Sequence, residues 1–187
     1  MRIFATCVMV CLLGTGRVIS SEASKPPAHA PASFELRDQY DAPQRLAFPA
    51  TNIIVLTIAD KKGSEQIDGW VAALKARYAG RIELRGLADV GGVPWFLRGK
   101  VRKKFQETRT YPVMMDWSGK VCAQFGFKPG LANVLVFARD GNIHARLAGP
   151  ALEPSLKEFF ATIDGVLLQS TSSQTNPTLR PTASLQP

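Results

Sequence analysis

Residues 53–58 read Ile-Ile-Val-Leu-Thr-Ile, a β-branched run that is apolar at odd and even positions alike. A strand sends alternate side chains to opposite faces, so this run needs cover on both sides. It is therefore expected as a central, buried strand of a layered domain. A helix should follow it. After the Lys61-Lys62-Gly63 turn, Ile67, Val71, Leu74 and Tyr78 recur at helical spacing, with Ser64 available as the cap and Gly80 as the stop.

The same alternation of periods organises the rest of the chain. Ahead of the central run, Phe34-Glu35-Leu36 and Arg45-Leu46-Ala47-Phe48 alternate around Asp41-Ala42-Pro43 and predict a hairpin. Beyond it, residues 82–90 read as a strand, and Pro94 opens a helix with Leu97, Val101 and Phe105 on one face. A strand over 111–117, a short helical stretch to Phe125, and strands over 133–138 and 143–147 come next. The last two are joined by Asp140-Gly141, a pair that favours a two-residue antiparallel hairpin turn. A final helix from Pro154 carries Leu152, Leu156, Phe159, Phe160, Ile163 and Leu167 on one side. Alternating βα units that close with a hairpin predict an α/β three-layer sandwich around a mixed sheet, with the N-terminal hairpin added.

The two ends read differently. Met1-Arg2, the apolar residues 3–13 and Ser21-Glu22-Ala23 form the pattern of a secretory signal, expected over 1–23. The apolar run is shorter than the ~20 residues that span a bilayer, so no transmembrane anchor is expected after signal removal. Cys7 and Cys11 lie inside that run, too early for lipid attachment. Residues 24–31 read as a linker, residues 32–169 as the domain, and residues 170–187, rich in Ser, Thr and Pro, as a disordered tail. The expected location is periplasmic or secreted. Of three cysteines only Cys122 remains in the mature chain, which leaves no partner for an internal disulfide.

Three segments carry a family likeness. Phe34-Glu35-Leu36-Arg37-Asp38-Gln39 resembles the opening hairpin of the redoxins, the branch of the thioredoxin-like superfamily that holds alkyl hydroperoxide reductase and thiol-specific antioxidant proteins. Tyr111-Pro112-Val113-Met114-Met115-Asp116-Trp117-Ser118-Gly119 is similar to the redoxin strand that ends in Asp and a Gly turn. Phe125-Gly126-Phe127 with the stretch from Ala132 to Ile143 is similar to the next helix end and strand. The likeness spans residues 32–169 and implies a thioredoxin-like fold.

The departures bear on function. In redox-active members the central strand leads to a Cys-x-x-Cys pair or one peroxidatic Cys at a helix N-terminus, where backbone N–H groups stabilise a thiolate. Laid on this chain, the two cysteine positions fall on Lys62 and Glu65, and no Pro-x-x-x-Thr-x-x-Cys occurs. Where the family has a cis-proline facing the cysteines stands Ala132. A cis bond there would cost roughly 3 kcal/mol, so a trans bond is expected.

Other candidate chemistry is sparse. Cys122 reads as a small buried hydrophobe, or alternatively as a redox thiol served by an external reductant. His144 stands without a second ligand of metal spacing, so no metal is expected. No cofactor motif, Ser-His-Asp elbow or phosphate loop occurs, and Gly91-Gly92 reads as a turn. Trp70, Trp95 and Trp117 read as core or rim aromatics.

Charge is the most local feature. The domain carries 19 basic against 14 acidic residues, and the whole excess sits between Arg98 and Arg109. Arg98, Lys100, Arg102, Lys103 and Lys104 are either a solvated helix face suited to the C-terminal end of the helix dipole or a docking patch for an anionic envelope component or acidic protein. No aromatic-basic stacking motif supports nucleic acid. Two functions stay open: a non-catalytic thioredoxin-fold binding or accessory module with an envelope partner, and a redoxin-type antioxidant enzyme working through Cys122.

Overall fold

The computed structural model describes residues 29–30 and 33–172. The segments expected as signal and, from residue 173 on, as tail lie outside the described residues, as does most of the expected linker.

The central run forms β3 (Ile54–Ala59), buried at every residue. It pairs in parallel with β4 (Glu83–Asp89) and antiparallel with β6 (Asn133–Phe137). β5 (Val113–Asp116) lies parallel on the far side of β4, and β7 (Ile143–Ala148) lies antiparallel on β6. The mixed sheet has the order β5-β4-β3-β6-β7.

Each face has its own core. Ile53, Val55 and Ala59 point to α1 (Ile67–Tyr78) and α4 (Glu153–Ser172), where Trp70 meets Phe159 edge-on at 5.2 Å. The Trp70 indole N–H donates to the Gly149 carbonyl at 2.9 Å, so this large ring is buried with its polar atom satisfied. α2 (Arg98–Thr108) joins α1 and α4 on this face, with Val101 and Phe105 on Val113 and Met115. On the opposite face, Ile54, Leu56 and Ile58 pack under α3 (Lys120–Gln124) and the hairpin of β1 (Phe34–Arg37) and β2 (Pro43–Leu46). This is the expected three-layer α/β sandwich.

The boundaries differ for local reasons. Pro94 leads into a 3-10 turn at Trp95–Leu97, and the α-helix starts at Arg98. Leu97 is half-buried but stands outside the cluster that receives Val101 and Phe105. The β6–β7 connection closes on Ala138 and Asn142, leaving Arg139, Asp140 and Gly141 as a three-residue loop. Gly141 takes φ +91°, the left-handed residue that such loops need, and Asp140 instead holds the Asn142 N–H. Leu152 precedes α4 and is exposed. α4 itself runs through Ser172 and so takes in the first three residues of the expected tail.

Candidate functional site

The turn leaving β3 is the place where a thioredoxin-like chain would carry its thiols. Its first residue, Asp60, holds it together. One carboxylate oxygen accepts the Gly63 N–H at 2.7 Å, and the other accepts the Gly130 N–H at 2.7 Å from the loop before β6. Ser64 is not the cap expected: its hydroxyl donates to the Lys61 carbonyl at 2.7 Å. The chain enters α1 through a 3-10 turn at Gly63–Gln66, which moves the first free N–H back to Gly63, within reach of Asp60. Lys62 precedes this turn and Glu65 lies within it, both exposed.

The loop that faces the turn is in direct contact with it. Gly63 is buried so closely against Leu131 that a Cβ there would stand 2.2 Å from the Leu131 carbonyl oxygen. The only cis peptide bond among the described residues is Phe48–Pro49, so Leu131–Ala132 is trans, as expected. Ala132 has an N–H that proline would lack, and it donates to the Gln66 side-chain oxygen at 3.2 Å. Ala132 is fully buried, so replacing Gln66 by Leu strands that N–H and is expected to cost about 1–2 kcal/mol. Urea unfolding of the variant checks this, and an unchanged midpoint would mean the bond contributes nothing.

Cys122 lies on the opposite face of the sheet, in the first turn of α3, with no exposed surface. Burial, followed by the negative charges of Asp116 and Asp89, pushes its thiol far above the ordinary range. The Asp116 carboxylate accepts the Cys122 N–H at 2.9 Å and the Val121 N–H at 2.8 Å. A reactive thiol needs positive surroundings and access, and Cys122 has neither. Cys7 and Cys11 lie outside the described residues.

The remaining candidates separate. His144 is exposed on β7, and no group of three metal-ligating side chains occurs among the described residues. Gly91 is a close-approach position, since a Cβ there would stand 2.9 Å from the Gly119 nitrogen, which explains a glycine without a phosphate. The three tryptophans part company: Trp70 is core, Trp117 is half-buried, and Trp95 is 79% exposed, against the expectation of core or rim.

Between the β3 turn and α2 runs a groove of about 610 Å³. Val93 and Phe105 line its apolar part, Glu65 and Asp68 one wall, and Lys104 and Arg109 the other. Arg109 pairs with Asp68 across it. The five basic candidates of α2 do not form one patch. Arg102 is tied to Asp41 of the hairpin turn at 2.8 Å, and the Arg98 guanidinium sits 5.1 Å from the Trp117 ring centre. Lys100 and Lys103 face solvent, while Lys104 borders the groove. Asp60, Gln66 and the exposed Trp95-Phe96 pair were missed in the sequence. For the last, the sequence offers only that Phe96 precedes Lys100 and Lys103 at helical spacing, and the structure sets Phe96 in the 3-10 turn ahead of the helix.

No protein-family model matches the sequence, and no curated protein matches it. Solved structures do match in three dimensions. StoA from Bacillus subtilis aligns at 15% identity, covering 72% of this chain and 99% of that one, with a TM-score of 0.54. A thioredoxin-family thiol:disulfide interchange protein from Chlorobium tepidum aligns at 20% identity over 78% and 99%, with a TM-score of 0.52. The pneumococcal exposed lipoprotein thioredoxin from Streptococcus pneumoniae aligns at 15% identity over 68% and 99%, with a TM-score of 0.53. Likeness at such identities is likeness of fold, and it agrees with the strand order, the crossover helices and the hairpin: the chain has a thioredoxin-like fold.

Proposed function

We propose that this chain is an exported thioredoxin-fold protein without dithiol chemistry, acting as a binding or accessory module. The observation that carries the reading is the β3 turn, where Lys62 and Glu65 stand at the thiol positions and the backbone of Gly63 is pressed on Leu131. The antioxidant alternative needs Cys122 as a thiolate in contact with solvent. Its burial beside Asp116 opposes both requirements. Export is supported by the signal pattern of residues 1–23 and by fold likeness to an exposed lipoprotein. No described helix is long and apolar enough to cross a membrane. Recovery outside the cytoplasm with Ser24 as the first residue is the check on export.

The chain from Ser24 onward is expected to show no dithiothreitol-dependent reduction of insulin above buffer. Its Cys122 should resist a thiol probe until denaturant is added. Turnover that survives Cys122→Ser would overturn the reading at Lys62 and Glu65. Rapid native labelling, with the acidic apparent pKa of an activated thiol, would restore the enzyme.

A further inference from the structure

The charge on α2 runs against its own dipole. All five cations, Arg98 through Lys104, occupy the first two turns, the last turn has no basic residue, and Glu107 lies there instead. The N-terminus of a helix carries partial positive charge, so cations are unfavourable at that end and a carboxylate is unfavourable at the other. The reading of these residues as a face suited to the C-terminal end of the dipole is thereby corrected. Two of the cations have structural work inside the protein, Arg102 on Asp41 and Arg98 on Trp117. Lys100, Lys103 and Lys104 form no ion pair among the described residues.

Directly ahead of these cations stand two aromatic rings in water. Trp95 is 79% and Phe96 65% exposed, and they meet edge-on at 6.0 Å in the 3-10 turn that opens the helix. Tyr40 is also exposed, in the hairpin turn that α2 grips through Asp41–Arg102 and through the Gln106 amide on the Gln39 carbonyl at 2.7 Å. Aromatic rings beside unpaired lysines are the composition that suits the boundary of a lipid bilayer. There the rings enter the headgroup level and the ammonium groups meet phosphate.

We propose that Trp95, Phe96, Lys100 and Lys103 form a docking surface for an anionic lipid bilayer. The partner is fixed by complementarity. The cations call for a negative surface, and an acidic protein or peptide matched to the lysines alone would leave both rings in water. The surface lies outside the groove and the β3 turn, on the solvent side of α2, whose opposite side is held by Val101 and Phe105 against the sheet. The proposal deepens the reading of the chain as an exported binding module, and it rests on that reading for access to an envelope membrane.

The test uses the chain from Ser24 onward, which keeps every described residue and removes the apolar segment at residues 3–13 that could enter lipid by itself. Co-sedimentation is measured with vesicles of phosphatidylcholine alone and of phosphatidylcholine with phosphatidylglycerol. Binding is expected to the second only, falling as salt is raised. Lys100→Gln with Lys103→Gln should weaken it about tenfold or more at low salt. Trp95→Ser with Phe96→Ser should also release the protein from the vesicles. Quenching of tryptophan emission by brominated lipid should disappear in Trp95→Phe, and circular dichroism of each variant should match the wild type. Equal binding to both vesicles, binding unchanged in the two double variants, or retention on polyglutamate with none on vesicles would overturn the proposal. Insulin turnover would overturn the module reading and leave the vesicle result standing, so the two failures are distinguishable.

Discussion

Gly63→Ala is expected to destabilise the protein by about 3 kcal/mol, the upper part of the range for forcing an extra carbon into packed space. The added Cβ would sit 2.2 Å from the Leu131 carbonyl oxygen, and an atom of the backbone is what would have to move. That backbone is held on both sides, by Asp60 on Gly130 and by Gln66 on Ala132. For a chain of this size the loss corresponds to a fall in melting temperature of roughly 6–12 °C. Gly92→Ala is the control, because a Cβ there meets nothing within 4 Å. Melting curves followed by circular dichroism decide the matter. If Gly63→Ala melts with the control, the contact between turn and loop is not rigid.

The second large effect is at Asp116, and it depends on pH. This carboxylate is buried and accepts four hydrogen bonds: from the Ser118 N–H at 3.1 Å, the Ser118 hydroxyl at 2.8 Å, the Val121 N–H and the Cys122 N–H. Burial by itself would raise its pKa, but the donors, Cys122 N–H foremost, outweigh it and hold the group below the usual carboxylate value. An acid with a lowered folded pKa stabilises the protein above its unfolded pKa, and that contribution is lost as pH falls through the folded value. Asp116→Asn turns an amide donor toward a site built of donors and is expected to cost about 3 kcal/mol at neutral pH. The difference from wild type should shrink below about pH 4, where unfolded carboxylates take up protons. Denaturant titrations at neutral and acid pH measure it, and a difference that stays constant would mean charge is not the source.

What could be read in the sequence was whatever depends on neighbours along the chain. Residues 53–58 announce a central strand because both faces are apolar, and Ile67, Val71, Leu74 and Tyr78 mark a helix by phase alone. The closing hairpin was legible at Asp140-Gly141, though not its loop length, since the extra residue depends on how Ala138 and Asn142 pair. The candidate site was read in outline through Lys62, Glu65 and Ala132. Its fastenings were not, because Asp60 reaches Gly130 across 70 residues and Gln66 reaches Ala132 across 66. A satisfied donor that distant leaves no local pattern. The outward turn of Trp95 escaped for another reason: hydrophobic character says what gains from burial, and only the fold says whether cover is supplied.

The hydrogen bond from Ala132 to Gln66 has a bearing on what it would take to build a dithiol into this turn. A proline at 132 would delete the N–H and leave the Gln66 oxygen without its donor, while cysteine at 62 would strip away the lysine stem that now lies over Gly130. Neither step restores a redox pair by itself, and cysteine at 65 alone has no partner at this turn. Either of these two substitutions, at 132 or at 62, therefore removes a fitted contact without completing a cysteine pair. The turn is a set of mutually fitted contacts, so a change at 62 or 132 is felt by its partner across the loop.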